Sequence, residues 1–311
     1  LKILVYSPQK PETLVDALRE RGVDEEIEMA RSLEEAAGKI ATADVLFAFR
    51  FPAELKPLAK RLSWVQCLGA GVDGILEGGP LPEGVRLTRT IGPFGPEISE
   101  YVFAEILYRE RRLSTMREMQ SRREWRHIPT GTLRGKRIGI AGVGAIGGEI
   151  VRKALAFDMR VTGLRRSGGP VPGLEAVYTG DDWALFVADL DYLVLVLPHT
   201  GETHHLVGRD VLAAMKEASV LVNVGRGPVV DERALIEALQ KGRPGAAILD
   251  VFEEEPLPAS SPLWSMDNVV VTSHLSGPTH ALDAADMFAK NLAHLKAGEP
   301  MEGEVPWGRG Y

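Results

Sequence analysis

Three short clusters in this chain carry residue types suited to chemistry on a small anion. They read Asn223-Val224-Gly225-Arg226-Gly227, Asp250-Val251-Phe252-Glu253-Glu254-Glu255-Pro256 and Thr272-Ser273-His274. A planar guanidinium such as that of Arg226 takes a carboxylate in bidentate fashion and polarises a carbonyl beside it. An imidazole such as that of His274 exchanges a proton near neutral pH, and a neighbouring carboxylate favours the charged ring. Together they predict anion binding with proton transfer. On spacing alone, any of Glu253, Glu254 and Glu255 can partner the histidine. His204-His205 reads as a solvated turn, His280 and His294 belong to the tail helix, and no spacing reads as a metal site.

A fourth cluster, Ile138-Gly139-Ile140-Ala141-Gly142-Val143-Gly144-Ala145-Ile146-Gly147, is an apolar run breaking into glycines ahead of an amphipathic stretch to Phe157. That is strand, tight turn, helix. Gly142 turns the chain, Gly144 leaves room for a pyrophosphate, and Gly147 brings the helix close to the sheet. The N–H groups of the helix's first turn, at Ala145, Ile146 and Gly147, then face the phosphates. In such a dinucleotide site an acid ordinarily follows about 20 residues on, at the end of the next strand, to hold the ribose. Here the strand Val161–Leu164 runs into Arg165-Arg166-Ser167 instead. Two guanidiniums and a hydroxyl suit a 2′-phosphate, so NADP is expected in preference to NAD.

Each cluster stands just after a strand candidate, so the elements explain why they share one rim. In the second half of the chain the candidates are residues 138–141, 160–164, 192–197, 220–223, 246–250 and 269–272. They alternate with helices expected over about 145–157, 208–216 and 231–240. The first hundred residues alternate likewise: strands at Ile3–Tyr6, Val45–Phe49 and Trp64–Leu68, helices at Pro11–Glu20, about Leu33–Ile40 and around Glu54–Arg61. Such alternation predicts α/β architecture with two doubly wound domains, parallel sheets, and ligands at the carboxyl ends of the strands. One long helix is expected from Glu97 to about Arg123, its stripe of Val102, Phe103, Ile106, Leu107 and Leu113 facing either the core or a second copy of the chain. A tail helix at Ala281–Ala297, coming after the second series, is expected to return to the first domain. Arg50, following the Val45–Phe49 strand, is placed to reach the distal end of a substrate, such as a phosphate.

Composition sets the outer bounds. A chain of 311 residues suggests two domains. Apolar content of 45% and charged content of 25% are those of an ordinary globular protein. The net charge of −7 argues against a nucleic-acid partner. A single cysteine, Cys67, fits a reducing cytoplasm, and neither a membrane-length apolar run nor a signal segment is evident, so a cytoplasmic protein is expected.

Over nearly its whole length the chain resembles the D-isomer-specific 2-hydroxyacid dehydrogenases. The resemblance rests on the glycine fingerprint, Asn223–Asp231, Leu249–Pro258 and the first-domain loop Gly69-Ala70-Gly71-Val72-Asp73. Within the family it is most similar to glyoxylate/hydroxypyruvate reductases. The resemblance implies a Rossmann cofactor domain over 98–283, inserted into a flavodoxin-like substrate domain of residues 1–97 and 284–311. It assigns Arg226 to the substrate carboxylate and carbonyl, His274 to acid/base catalysis, and Glu255, the carboxylate directly before the proline, to orienting the histidine. It places Pro198, Val224, Gly225 and Arg226 along the cofactor, and Asp250 at the nicotinamide carboxamide. Ala70, Gly71 and Val72 line the substrate, the latter two offering N–H groups to its carboxylate. Ser273 stands where the family commonly has proline. The implied activity is NADP(H)-dependent interconversion of small 2-keto acids, such as glyoxylate and hydroxypyruvate, with D-2-hydroxy acids, by a homodimer. An NAD-dependent D-3-phosphoglycerate dehydrogenase without a regulatory domain is one alternative, supported by Arg50 and opposed by Arg165 and Arg166. A dinucleotide-sensing, corepressor-like binding protein is the other.

Overall fold

In the computed structural model, which describes residues 1–180 and 182–306, the apolar runs become short parallel strands. Residues 307–311, part of the tail segment assigned to the first domain, lie outside the described residues. The chain divides into two compact units, one made of Leu1–Phe94 with the described residues from Pro278 onward, the other of Gly95–Gly277.

In the first unit β1 (Lys2–Tyr6), β2 (Glu26–Ala30), β3 (Val45–Ala48), β4 (Trp64–Cys67) and β5 (Arg86–Arg89) pair in the order β2-β1-β3-β4-β5. All four pairings are parallel, which gives the flavodoxin-like order. Strands β3 and β4 are fully buried, so β3 is an unbroken apolar run, while β4 holds the buried Gln66 among apolar neighbours. Helix α1 (Pro11–Glu20) opens on a proline, whose missing N–H costs nothing in a first turn, and buries Leu14, Ala17 and Leu18. Helix α2 (Leu33–Ile40) is capped by Ser32, whose side chain accepts the Glu35 N–H, while the Glu35 carboxylate accepts the Arg31 N–H. A short helix, α3 (Asp73–Leu76), follows the Gly69–Val72 loop. The helix expected around Glu54–Arg61 is only a 3-10 turn at Lys56–Leu58, because Pro57 cannot donate the N–H that a longer helix would need.

The long helix expected from Glu97 is two helices, α4 (Phe94–Glu110) and α5 (Leu113–Ser121), broken where Arg112 adopts the left-handed conformation at φ 50°. Beyond Ile106 no buried residue follows until Met119, so burial does not carry a single helix through. The remaining strands and α-helices of the second unit are β6 (Arg137–Ala141), α6 (Ala145–Ala156), β7 (Arg160–Leu164), β8 (Ala176–Tyr178), α7 (Trp183–Val187), β9 (Tyr192–Leu195), α8 (Arg209–Ala214), β10 (Val220–Asn223), α9 (Glu232–Gln240), β11 (Ala246–Leu249) and β12 (Val269–Val271). The strands form one parallel sheet in the order β12-β11-β10-β9-β6-β7-β8. This is the Rossmann order with a seventh strand, and its direction of winding reverses between β6 and β9. Because every strand runs the same way, the segments after β6, β7, β9, β10, β11 and β12 all leave from one edge of the sheet.

The tail helix α10 (Ala281–Ala297), ended by Gly298 in the left-handed conformation, belongs to the first unit. Phe288 sets its ring 4.9 Å from Phe47 and 4.8 Å from Trp64, covering one face of the five-stranded sheet. Among the described residues no helix is long and apolar enough to cross a membrane.

Candidate active site

The turn after β6 is shaped by backbone proximity. Gly142 sits at φ 101°, and a Cβ there would fall 2.6 Å from the Val196 carbonyl at the neighbouring strand end. At Gly147 a Cβ would collide with the Gly142 carbonyl, so the first turn of α6 closes onto the turn only without a side chain. Gly144 differs. It is the N-cap of α6, makes no side-chain cap, and a Cβ there would meet nothing within 4 Å. The first-turn N–H groups at Ala145, Ile146 and Gly147 therefore face an open cradle, which fits a phosphate group. At the end of β7, Arg165 donates from Nε and Nη2 to Ser167 Oγ at 3.2 and 2.8 Å, which gathers guanidinium and hydroxyl into one polar group. Arg166 is exposed beside them.

Two neighbouring strands add the rest of that edge. Pro198 follows β9, and its carbonyl accepts the Thr203 hydroxyl at 2.7 Å. After β10 the buried Asn223 shapes the turn by accepting the Gly225 N–H at 3.2 Å and donating to the Arg226 carbonyl at 3.1 Å. Val224 N–H bonds back to Leu195 at 3.2 Å. Arg226 leaves this turn with extended backbone, and its Nη1 donates to the Gly225 carbonyl at 2.7 Å.

After β11, Glu255 faces His274. Its Oε2 lies 2.8 Å from His274 Nδ1, and its Oε1 accepts the Phe252 N–H at 3.0 Å. Burial pushes the Glu255 carboxyl up. The His274 and Phe252 hydrogen bonds, with the charges of His274 and Arg226, outweigh burial and hold it below the usual carboxylate range. Glu253 is engaged elsewhere, accepting the Glu232 N–H at 2.9 Å and pairing with His205 at 2.8 Å. His204-His205 is thus an exposed turn, and its rings have partners. His204 stacks on His205 at 4.0 Å and lies 3.2 Å from His199.

Asp250 directly follows β11. It is 0% exposed, and its carboxylate is occupied from within. Oδ1 accepts the Thr272 hydroxyl at 2.6 Å and the Leu275 N–H at 2.9 Å, Oδ2 accepts the Ser276 N–H at 2.9 Å, and its backbone carbonyl accepts the His274 N–H at 2.8 Å. Burial raises its pKa, but the Ser276 and Thr272 side-chain hydrogen bonds, with the Leu275 and Ser276 N–H groups, prevail and hold the group below the ordinary carboxylate range. His274 needs such anchoring because it occupies the left-handed region at φ 53°, disfavoured for a residue with a Cβ. Thr272 also meets the Tyr101 hydroxyl of α4 at 2.7 Å. Burial pushes that phenol up to about 12; the Thr272 bond opposes the shift and the charges of Asp250 and Glu105 add to it.

In the first unit, Arg50 is exposed after β3, with its Cγ and the Phe49 carbonyl against Gly74 of α3, and Ala70, Gly71 and Val72 follow β4. Both segments leave the carboxyl edge of the five-stranded sheet. Among the described residues no group of three or more His, Cys, Asp or Glu side chains is placed to hold a metal ion. Asn223, Phe252 and Thr272 support the site from within the clusters read in the sequence, and Tyr101 from outside them. Only Asn223 and Thr272 had a local signal, as polar residues ending apolar strands.

The sequence pattern described as "D-isomer specific 2-hydroxyacid dehydrogenase, NAD binding domain" matches residues 103–276. A glyoxylate/hydroxypyruvate reductase A from Serratia proteamaculans is 33% identical over 275 residues, 86% of this chain and 88% of that protein. Among solved structures, a D-isomer specific 2-hydroxyacid dehydrogenase from Xanthobacter autotrophicus Py2, in complex with NADPH and MES, superposes with a TM-score of 0.90 at 31% identity, covering 99% of each chain. An NADPH-dependent glyoxylate/hydroxypyruvate reductase from Sinorhizobium meliloti, in complex with NADP and sulfate, gives a TM-score of 0.91 at 28% identity, covering 100% of this chain and 99% of the other.

Proposed function

The chain belongs to the D-isomer specific 2-hydroxyacid dehydrogenase family, and we propose that it is an NADP(H)-dependent reductase of small 2-keto acids such as glyoxylate and hydroxypyruvate. The observation that carries this reading is the His274–Glu255 pair at 2.8 Å, leaving the same sheet edge as the glycine cradle of α6. The second unit is then the cofactor domain and the first unit the substrate domain.

NADPH bound along that edge supplies the hydride. Its phosphates fit the open cradle at Gly144–Gly147, and its 2′-phosphate fits the Arg165–Ser167 group, with Arg166 adding a second guanidinium. Arg226 takes the substrate carboxylate and draws electron density toward the keto oxygen. His274 gives its proton to that oxygen as the carbonyl carbon is reduced. Glu255 holds Nδ1, fixing the ring so that Nε2 faces substrate. As the family resemblance implies, Ala70, Gly71 and Val72 line the substrate, and the Gly71 and Val72 N–H groups serve its carboxylate. Asp250 serves chiefly as the anchor of the His274 loop, since its carboxylate is filled by internal donors.

The reading includes a cytoplasmic homodimer associating through α4 and α5, supported by the exposed apolar side chains of Tyr108, Leu113 and Met116. Initial rates of NADPH and NADH oxidation with glyoxylate, hydroxypyruvate, pyruvate, phenylpyruvate and 3-phosphohydroxypyruvate test the proposal. Fast NADPH oxidation with the first two supports it. Preference for NADH and the phosphorylated acid, or cofactor binding without turnover, overturns it.

A further inference from the structure

Three successive carbonyls of the loop after β4 are tied back by donors from the strand ends beside it. The Thr90 N–H donates to Gly69 O at 3.1 Å, Arg89 Nη1 to Ala70 O at 3.1 Å, and the Cys67 thiol to Gly71 O at 3.2 Å. In a trans peptide unit the carbonyl and the N–H point in opposite directions. Each tied carbonyl therefore turns the next residue's N–H away from the donor. Those are the N–H groups of Ala70, Gly71 and Val72, and among the described residues none of the three has an acceptor. Cys67 is itself 0% exposed, so its thiol acts from beneath the loop.

We propose that Arg89 and Cys67 are positioning residues that hold the Ala70 and Gly71 carbonyls down and so present the Gly71 and Val72 N–H groups to a substrate carboxylate. The proposal rests on the reading that this loop receives that carboxylate. Neither side chain needs to touch the substrate. The charged guanidinium is the stronger donor and the thiol a weak one, so Arg89 carries the larger share. A serine in place of Cys67 supplies an O–H to the same carbonyl, whereas alanine supplies nothing.

The test is a titration of the ¹⁵N-labelled, NADP-loaded protein with oxamate, a carboxylate shaped like a 2-keto acid that is not reduced. In the wild type the Gly71 and Val72 amide resonances shift on addition. Arg89→Met weakens oxamate binding about 10-fold and raises KM for the keto acid, while the NADPH dissociation constant and kcat change little. Cys67→Ala weakens it by a few-fold, about 2–4, and Cys67→Ser restores it. If Arg89→Met binds oxamate as tightly as the wild type, with the same Gly71 and Val72 shifts, the positioning role is overturned while the loop's role stands. If the wild type shows no shift at Gly71 and Val72, the loop's own role falls, and the proposal with it. Should Arg89→Met fail to fold, equal oxamate affinity in Cys67→Ala and Cys67→Ser overturns the positioning role.

Discussion

One oxygen of the Glu255 carboxylate lies 2.8 Å from His274 Nδ1, and the other accepts the Phe252 N–H, so the carboxylate is fixed at both ends before it fixes the ring. A glutamine there still accepts from one side but cannot hold a cationic imidazole. Glu255→Gln lowers kcat for keto-acid reduction by on the order of 10-fold. His274→Gln, which removes the proton donor, lowers it by roughly 10²–10⁴-fold. Both variants retain wild-type NADPH affinity by fluorescence titration. Unchanged kcat in His274→Gln, with chemistry established as rate-limiting, refutes the assignment.

Two glycines of the cradle separate folding from binding. A methyl at Gly144 meets nothing in the protein, so Gly144→Ala melts near the wild-type temperature but binds NADPH at least about 10-fold more weakly. A methyl at Gly147 strikes the Gly142 carbonyl, so Gly147→Ala loses melting temperature as well as binding. Differential scanning calorimetry with and without NADPH distinguishes the two. Identical behaviour of both variants contradicts the geometry.

Cofactor choice rests on Arg165 and Arg166. Hydrogen bonds to a charged phosphate contribute roughly 1.5–3 kcal/mol each. Two such bonds correspond to about 10²–10⁴-fold, and solvent screening of the exposed guanidiniums reduces this, so the double substitution Arg165→Ala with Arg166→Ala raises KM for NADPH by about 10- to 100-fold and leaves KM for NADH nearly unchanged. Steady-state kinetics with both cofactors checks this. An unaltered NADPH preference is the contrary result.

Asp250 ties stability to acid pH. Its folded-state pKa lies below its unfolded value, so the ionised group contributes stability that is complete above the unfolded value of about 3.9 and disappears as pH falls through the lower folded value. Asp250→Asn should melt about 1–3 kcal/mol less stably at neutral pH, with a flatter dependence on acid. Thermal melts from pH 2 to pH 7, on the order of one per half unit, compare the slopes. Equal slopes below pH 4, about the ordinary aspartate range, go against an anchoring carboxylate.

Tyr101 provides the alkaline counterpart. Its phenol, raised to about 12, contributes stability present below its unfolded pKa and lost as pH rises through the folded value. In a spectrophotometric titration of the native protein, Tyr101→Phe removes one tyrosine from the late-ionising class and leaves the early one intact. Loss from the early class instead contradicts the burial of this phenol.

The buried strands and the clusters at their ends were legible because both are local, whereas β2, β5 and β8, partly exposed at sheet edges and without a buried apolar run, were not. An apolar run ending in glycine, arginine or histidine says where a parallel strand stops and what stands on its rim. The break at Arg112 was not legible, since the apolar stripe continues to Leu113 and only burial shows that the helix has lost its support. Nor was the occupation of Asp250, because its donors come from a different strand end. Tyr101 and Thr272, 171 residues apart, meet only in the folded unit. The carbonyl ties beneath the Gly69–Val72 loop share that property, joining the ends of β4 and β5.

The placement of α10 sets an order of events during synthesis. Phe47 and Trp64 belong to the part of the chain made first, but the ring that covers them, Phe288, is made after the whole of the second unit. A ribosome therefore releases a complete cofactor-binding unit while the five-stranded sheet still carries a bare aromatic face. That interval, rather than any weakness of the finished fold, is when this chain is most exposed to aggregation and most in need of a chaperone.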